Sequence, residues 1–259
     1  MDLVAQAAAG LMSITGTLAG ETVRTGHSVA DVTAGMFAVI GAMLAIEARH
    51  RTGEGQFVDV SMLDTMVSSM APSFAYHLGS GNIPVPLGTQ FATIVPYRNF
   101  TCQDRQVSIA VASDKLWESF CQAIDRPDLL QDERYRSNPL RVKYRGVLEP
   151  LLEEMFRGRT AAHWIDVLSC AGIPCSLVRN LKEVVEDEQL NARGMLPELE
   201  HATAGRIRVT GAPVKLSQSS SGITTVARHL GEDSDVVLKE MLGMTETELE
   251  RLRGAGVIT

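Results

Sequence analysis

The first third of the chain alternates between long apolar helical patterns and short β-rich runs. Leu3 to Met12 is apolar and alanine-rich, and Val32 to His50 forms a long helical pattern. Two nearby glycines within residues 51–56 break that helix. Phe57 to Met62 alternates and predicts a strand, after which Leu63 to Tyr76 predicts another helix. This part of the chain therefore predicts a portion of an α/β core.

A second mixed segment follows from about residue 85. Strands are predicted at Val107 to Ala112 and at Ile173 to Val178 because both runs are β-rich. Helical patterns cover Asp114 to Ile124, Pro139 to Arg157, Thr160 to Ala171 and Leu181 to Asp187. The segment opens on Pro96-Tyr97-Arg98-Asn99-Phe100, which fits either a strand end with a buried aromatic or a loop that faces a cleft.

The C-terminal part predicts a short strand and two short helices. Arg206 to Val209 is strand-like, and helices are predicted at Asp233 to Leu242 and at Glu246 to Arg253. Thr245 with Glu248 has the spacing of a capping box. The fold class is therefore mixed α/β. The first unit has too few strands for a complete sheet, so the remainder must come from other sequence or from a partner.

Composition and charge exclude several classes of function. The chain has 259 residues, of which 45% are hydrophobic and 21% charged, as expected for a folded globular protein. The net charge of −7 gives no general attraction to nucleic acid or to an anionic membrane, so neither is an expected partner. A small anionic ligand held by local arginines and helix ends stays compatible with this charge.

One apolar run has nearly the length of a membrane span. Val29 to Ile46 covers 18 residues with a single charge, but its small residues favour a buried helix of an α/β protein. The N-terminus has no basic residue before its apolar run, so no signal peptide is expected. The four cysteines have no zinc-site spacing and are expected to be reduced, buried or half-buried thiols of a cytoplasmic protein.

Asp31 is the main candidate for chemistry among the acidic residues. It lies where the long apolar helix is predicted to begin, and the local pattern favours an N-cap over a catalytic role. The two roles are compatible, because a helix N-terminus favours an ionised carboxylate, and such a group can attack an activated acyl group. Gly35, one turn later, would let a ligand approach the backbone, and His27 lies four residues before Asp31.

Other polar motifs give weaker indications. The basic residues from Arg49 to Arg51 suit the C-terminal end of a helix dipole, although phosphate binding stays possible. The following Thr-Gly-Glu-Gly stretch lacks the Gly-Lys-Ser/Thr of a phosphate-binding P-loop. The six histidines are scattered without metal-site spacing, so no metal site is predicted.

Several motifs, in the same order along the chain, resemble the class III coenzyme A transferases of the CaiB/BaiF superfamily. The strongest matches are AQAAAGLMSITG over residues 5–16, Val29-Ala-Asp31 followed by Gly35, and ARHRTGEGQFVDVSMLD over residues 48–64. Later matches are Pro96-Tyr97-Arg98, Gly172-Ile-Pro-Cys175, Gly211-Ala-Pro213 and Leu230-Gly231-Glu232. The resemblance therefore extends over nearly the whole chain.

The resemblance implies that Asp31 is a nucleophile that accepts coenzyme A (CoA) from an acyl-CoA and passes it to a carboxylic acid. The intermediates would be mixed anhydrides and an aspartyl-CoA thioester. Met62 falls at a position near bound CoA in the family. No metal or redox cofactor is implied, since the CoA thioester is a substrate. The partners would be an acyl-CoA, a carboxylic acid and, in the full-length form, an interlocked homodimer.

The family fold implies a division of the chain into a partial Rossmann-like large domain and a smaller α/β domain. Residues 1–85 would be the C-terminal part of the Rossmann-like core, residues 86–190 the small domain, and residues 191–259 a linker and a return segment to the large domain. Family members are longer at the N-terminus, so a fragment, a natural truncation or a mis-assigned start is expected. The missing part would hold most of the residues that grip CoA.

Two alternatives to a transferase stay open. An α-methylacyl-CoA racemase of the same superfamily would pair the aspartate with a histidine at or before Met1, as acid and base on the α-carbon. An inactive remnant, or a subunit that needs a partner, is the non-enzymatic alternative. The region between Gly79 and Ala92 lacks the glycine run of some oxalate-type transferases, which argues against formyl or oxalyl substrates.

Overall fold

The computed structural model describes residues 1–258 and contains helices together with two antiparallel sheets. The helices of the first part are α1 (Asp2–Ala8), α2 (Leu11–Ile14), α3 (Val29–Thr52), α4 (Met62–Ser69) and α5 (Ala71–Ser80). The middle part contains β1 (Tyr97–Thr101), β2 (Gln106–Ala110), α6 (Asp114–Ala123), α7 (Asp128–Gln131), α8 (Asn138–Lys143), α9 (Arg145–Arg157), α10 (Ala161–Cys170) and β3 (Cys175–Leu177). The last part contains α11 (Leu181–Val185), α12 (Glu188–Ala192), β4 (Glu198–His201), β5 (Gly205–Arg208), α13 (Ser234–Leu242) and α14 (Glu246–Gly254). This mixture confirms the predicted α/β class.

The helices of the first part pack around a small apolar cluster, called here the small core. It consists of Ala9, Ala30, Met66 and Met70, contributed by the α1–α2 junction, by α3, by α4 and by the α4–α5 junction. The helix predicted from Leu3 to Met12 is interrupted at Gly10, which has a φ of 85°. Glycine accepts this left-handed conformation without the steric cost that a Cβ brings. The chain therefore changes direction between α1 and α2.

Helix α3 begins earlier than predicted and is mostly exposed. It starts at Val29 and ends at Thr52, and the C-cap Gly53 has a φ of 80°, which allows the left-handed C-terminal turn. Only Ala30 and Thr33 are buried, so the expectation of a buried helix is wrong for this chain. Helices α1 and α4 contact α3, but they cover only a part of its circumference.

Helix α3 is also the one helix among residues 1–258 that is long and apolar enough to cross a membrane. Length and composition alone support that possibility, and core helices of water-soluble proteins satisfy the same criterion.

The predicted strand at Phe57 to Met62 does not form. These residues join α3 to α4 without a ladder partner, and Met62 already belongs to α4. A strand requires a neighbour with which to exchange backbone hydrogen bonds. Within residues 1–96 the structure contains only one isolated bridge, between Gly16 and Thr22, so no such neighbour is present. Alternating residues therefore give an extended connection instead of a sheet.

The middle part contains a three-stranded antiparallel sheet in the order β1-β2-β3. Helices α9 and α10 pack on this sheet and α6 packs on α10, which together bury a second cluster, called here the large core. Its aromatic members are Phe100, Trp117, Phe120, Tyr135, Phe156 and Trp164. Both strands predicted for this segment are confirmed. Strand β2 begins one residue earlier and ends two residues earlier than predicted, and β3 covers only the middle of its predicted range. The Pro96-Tyr97-Arg98 motif leads into β1, so the strand interpretation of its position is correct.

The chain separates into two compact units, Met1–Val178 and the part from Arg179 onward. The second unit contains the antiparallel β4–β5 hairpin, in which Glu198, Leu199 and Glu200 of β4 pair with residues of β5. The predicted capping box at the start of α14 is confirmed. The predicted boundaries at residues 85 and 190 stay predictions.

The cysteines are unpaired thiols, as expected, but they differ in exposure. Cys102 and Cys121 are buried, and burial raises the pKa of their thiols to about 11 and about 12. Cys175 is half-buried, whereas Cys170 is exposed, which corrects the expectation that all four are at least half-buried. The buried residues of α10 are Ala161, Trp164 and Leu168, so Cys170 lies on the opposite face of this helix.

Candidate functional site

Asp31 lies in the first turn of α3 but is not its cap. The N-cap is Ser28, and Asp31 is the third helical residue, so the predicted capping role is wrong. The reason is the earlier start of the helix at Val29. Within residues 1–258 the Asp31 carboxylate has no hydrogen bond or ion pair, and the residue is exposed. The carboxylate is therefore accessible to a ligand, and the free N–H groups of a first turn favour negative charge there.

The surface next to Asp31 is open. Gly35 follows one turn later, and a Cβ placed on it would meet no atom within 4 Å. His27 is also exposed, and its carbonyl oxygen accepts hydrogen bonds from the Val29 N–H and the Thr25 hydroxyl. A bulky ligand can thus approach this end of α3 without moving a side chain at position 35.

Met62 is brought to the same core as the start of α3. It is the first residue of α4, a helix capped by the Ser61 hydroxyl, which accepts a hydrogen bond from the Asp64 N–H at 3.3 Å. Met62 is half-buried and packs against the small core, to which Ala30 belongs. The two sequence-predicted site residues therefore lie beside the same packed cluster. Met62 contacts the small core directly, and Asp31 follows its member Ala30 in the chain.

The start of α3 is held by a residue that the sequence analysis did not identify. In the described part of the chain Ser28 makes no side-chain capping hydrogen bond, and the Ala30 N–H donates to the Asp2 carboxylate at 2.9 Å. Asp2 lies in α1, 28 positions earlier. The only sequence signal is the placement of Asp2 and Gln6 four residues apart on one face of a helix, which gives no indication of the Ala30 contact.

An apolar cavity of about 320 Å³ lies between α5 and the segment formed by the α1–α2 junction and α2. It is lined by Ala9, Gly10, Ser13, Ile14, Met70, Ser73, Phe74, His77, Ile83 and Pro84. Neither Asp31 nor Met62 lines this cavity. Its size and lining suit an apolar group, but the cavity offers few groups that could react with one.

The motif at the start of β1 lies next to a buried cluster of charges. Arg98 contacts Glu149 and Glu153 at 3.4 Å each, and Arg145 approaches Glu149 to 3.9 Å. Burial raises the pKa of the Glu149 carboxyl, whereas the guanidinium groups of Arg145 and Arg98 act in the opposite direction. Because Arg98 already contacts two carboxylates, its charge is largely balanced within the protein.

The remaining candidates from the sequence form no reactive site in the described part of the chain. Arg51 and His50 contact Glu47 at 3.6 and 4.0 Å on the exposed end of α3, as their helix-end interpretation predicts. Among residues 1–258, no group of three or more histidine, cysteine or acidic side chains could hold a metal ion.

Comparison with known proteins places these features in a family. The family model for CoA-transferase family III matches residues 1–234. The succinyl-CoA:glutarate CoA-transferase of Mus musculus is 32% identical over 257 residues, which is 99% of this chain and 59% of the mouse protein. The succinyl-CoA:mesaconate CoA-transferase of Haloarcula marismortui is 32% identical over 240 residues, covering 92% of this chain and 60% of that protein.

A solved structure agrees with the sequence relatives. The crystal structure of a CAIB/BAIF family protein from Brucella suis superimposes with a TM-score of 0.77 at 27% identity. The match covers 92% of this chain and 62% of that one.

The family model and these relatives together define one class of protein. This chain belongs to CoA-transferase family III. It spans about three fifths of the length of the curated relatives described above.

Proposed function

We propose that this chain carries the nucleophile of an acyl-CoA:carboxylate CoA-transferase and that the nucleophile is Asp31. The single observation that supports it most is the exposed Asp31 carboxylate in the first turn of α3, which has no partner among residues 1–258 and lies within the segment matched by the family model. An ionised carboxylate in such a position is able to attack a thioester carbonyl.

The proposed reaction begins with attack by a carboxylate oxygen of Asp31 on the thioester carbonyl of the acyl-CoA. The carbon–sulfur bond breaks, CoA leaves as a thiolate, and a mixed anhydride joins Asp31 to the acyl group. The thiolate then attacks the Asp31 carbonyl carbon of that anhydride. This step releases the donor acid as a carboxylate and leaves an aspartyl-CoA thioester.

The second half of the reaction reverses these steps with another acid. The acceptor carboxylate attacks the aspartyl-CoA carbonyl and expels the CoA thiolate, forming a new mixed anhydride. The thiolate then attacks the acceptor's acyl carbon, which forms the new acyl-CoA and regenerates the Asp31 carboxylate. Backbone N–H groups would stabilise the developing oxyanions. All bonds are exchanged among CoA, two acids and Asp31, so the proposal needs no resident cofactor.

The names of the relatives support a proposal for the substrate class. Two of them are named for transfer of CoA between succinyl-CoA and a second dicarboxylic acid, glutarate or mesaconate. We therefore propose a dicarboxylic acid as acceptor and succinyl-CoA as the first donor to assay. The half-buried Met62 beside the small core is proposed to contact CoA, and the interlocked homodimer is proposed for the full-length form.

The first prediction concerns Asp31→Asn, which removes the nucleophile but keeps the size of the side chain. Removing a nucleophile lowers kcat by several orders of magnitude, about 10³-fold or more. The assay is CoA transfer from succinyl-CoA to glutarate by the full-length protein. Hydroxylamine trapping, read by mass on the peptide that contains Asp31, should detect the aspartyl-CoA in the wild type and not in the variant.

The matched control is Asp64→Asn. Asp64 is also an exposed aspartate at the third position of a helix, in this case α4, so the same change of charge occurs in the same local setting. Its turnover should stay near that of the wild type. Unchanged turnover in Asp31→Asn would remove Asp31 as the nucleophile. Exchange of an α-hydrogen without a trapped acyl-enzyme would favour the racemase alternative instead.

A further inference from the structure

Two side chains of α1 form a hydrogen-bonded chain that ends at the first turn of α3. The Asp2 carboxylate accepts the Ala30 N–H with one oxygen, at 2.9 Å, and the Gln6 amide nitrogen with the other, at 2.7 Å. The Gln6 carbonyl oxygen accepts the Thr25 N–H at 3.1 Å and lies 3.4 Å from the Thr25 hydroxyl. The chain of contacts thus links α1 both to the loop before α3 and to α3 itself.

The orientation of the Gln6 amide is determined by these partners. Gln6 is completely buried, so its polar atoms cannot exchange their protein partners for bulk water. Its oxygen faces a donor on Thr25, and its nitrogen faces an acceptor on Asp2. Reversing the amide would place a donor against a donor on one side and an acceptor against an acceptor on the other. A buried polar group left unpaired in this way is costly.

These hydrogen bonds end at the residue next to Asp31. Ala30 is the residue before Asp31, and Ser28 makes no side-chain capping hydrogen bond of its own. The tertiary contact from Asp2 is therefore the side-chain cap of α3 among residues 1–258. Ala30 itself is completely buried in the small core, so the backbone at this point is held from two sides.

We infer that Asp2 and Gln6 are positioning residues that hold the first turn of α3, and with it the Asp31 carboxylate, in the orientation needed for attack on the thioester. The inference rests on the proposed role of Asp31. A shift of about 1 Å in a reacting group can cost about 100-fold in rate, so loss of this support should slow the reaction with Asp31 still present.

The inference can be tested by exchanging the carboxylate of Asp2 and the amide of Gln6 between the two positions. Asp2→Asn would place an amide nitrogen against that of Gln6, or else turn it toward the Ala30 N–H. Gln6→Glu would place a second carboxylate against that of Asp2. The double variant Asp2→Asn/Gln6→Glu restores every donor–acceptor pair. Its new amide at position 2 donates to the new carboxylate at position 6 and still accepts the Ala30 N–H, and the pair keeps one negative charge.

The experiment compares the wild type, the two single variants, the double variant and Asp31→Asn in the full-length protein. The measured quantities are kcat, the KM for succinyl-CoA, the rate of hydroxylamine trapping at Asp31 and hydrogen exchange of the Ala30 and Thr25 amides. We expect each single variant to lose about 100-fold in kcat and in trapping rate, with a smaller change in KM. The double variant should exceed both single variants in kcat and in protection of the two amides.

A control separates positioning from loss of stability. Leu168→Ala removes a completely buried side chain from the large core, a cluster to which neither Asp2 nor Gln6 belongs. It should lower the melting temperature and leave the kcat of the folded enzyme near that of the wild type. If the single variants do not fold, the folded double variant is the test, and its kcat should approach the wild-type value.

Several outcomes would overturn the inference. The first is a wild-type kcat in the single variants while Asp31→Asn is inactive. The second is a double variant that is no faster than the slower single variant. The third is a double variant that does not fold. Full activity of Asp31→Asn is a different result, since it would overturn the proposed nucleophile whatever the single variants do.

Discussion

The carboxyl group of Glu149 is almost completely removed from water, with 2% of the residue exposed. One of its oxygens accepts the Gln90 amide at 2.6 Å, whereas Oε1 has no hydrogen bond within residues 1–258. Burial raises the pKa of this carboxyl, although the guanidinium groups of Arg145 and Arg98 favour its charged form. At the scale of one residue, the effect of desolvation on this pKa therefore outweighs that of two nearby positive charges. Their distances from the carboxylate, 3.4 and 3.9 Å, are longer than those of a close ion pair.

This raised pKa predicts a specific dependence of stability on pH. Between the ordinary glutamate pKa of about 4.3 and the higher native pKa, the folded state retains a proton that the unfolded chain has released. The free energy of unfolding contributed by Glu149 therefore falls as pH rises through that window. Glu149→Gln should flatten the dependence, measured by urea unfolding at several pH values.

The control for this prediction is Glu154→Gln in the same helix, α9. Glu154 is exposed, so the same change of charge should leave the slope of stability against pH close to that of the wild type. Equal slopes for the wild type and Glu149→Gln would contradict the assignment to Glu149.

At the scale of elements, the connection from α2 to α3 depends on a close turn at Gly16. The Gly16 carbonyl accepts the Gly88 N–H at 3.0 Å, and Gly16 forms an isolated antiparallel bridge with Thr22. A Cβ on Gly16 would lie 1.8 Å from the Glu21 carbonyl oxygen, a distance that no relaxed structure allows. The turn leads directly to Thr25, so its geometry also determines how the chain enters α3.

Gly16→Ala should therefore destabilise the protein by forcing this backbone apart. Overpacking of this kind costs about 1–3 kcal/mol, which urea unfolding can measure. Gly146→Ala in α9 is the matched control, because a Cβ there meets no atom within 4 Å and alanine favours a helix over glycine. That variant should be as stable as the wild type or more so. A Gly16→Ala protein of unchanged stability would show that the turn can relax.

At the scale of the whole molecule, α3 exposes a large apolar surface. Val39, Met43 and Leu44 are among its exposed apolar side chains, and Val39 is 65% exposed. Contiguous apolar surface of this kind promotes association in water. We therefore expect this chain to be poorly soluble when it is produced by itself.

Val39→Lys should reduce concentration-dependent association of the chain when it is produced by itself, as measured by light scattering. The added charge interrupts the apolar face of α3 without entering a core. Val147→Lys is the control, since Val147 is also exposed, at 51%, but belongs to a helix that buries its apolar side in the large core. Equal scattering by Val39→Lys and the wild type would locate the association elsewhere.

Local sequence pattern was sufficient for most elements of the large core and for the family. The helix α6 appears at its predicted start, Asp114, and the capping box of Thr245 and Glu248 forms as expected. These features depend on hydrogen bonds and side-chain spacing within a few residues, which a sequence records directly. The motifs around Asp31 likewise were enough to indicate CoA-transferase family III, because a motif is a local feature.

The tertiary structure alone decided the features that depend on residues far apart in the chain. Phe57 to Met62 has strand-like alternation but no neighbouring strand, and α3 has a core-like composition but few partners to bury it. Asp31 was expected to cap its helix, whereas Asp2 provides that hydrogen bond from another helix. The physical reason is the same in each case. Sequence pattern states what a segment can pair with, and only the folded chain determines which partner is within reach.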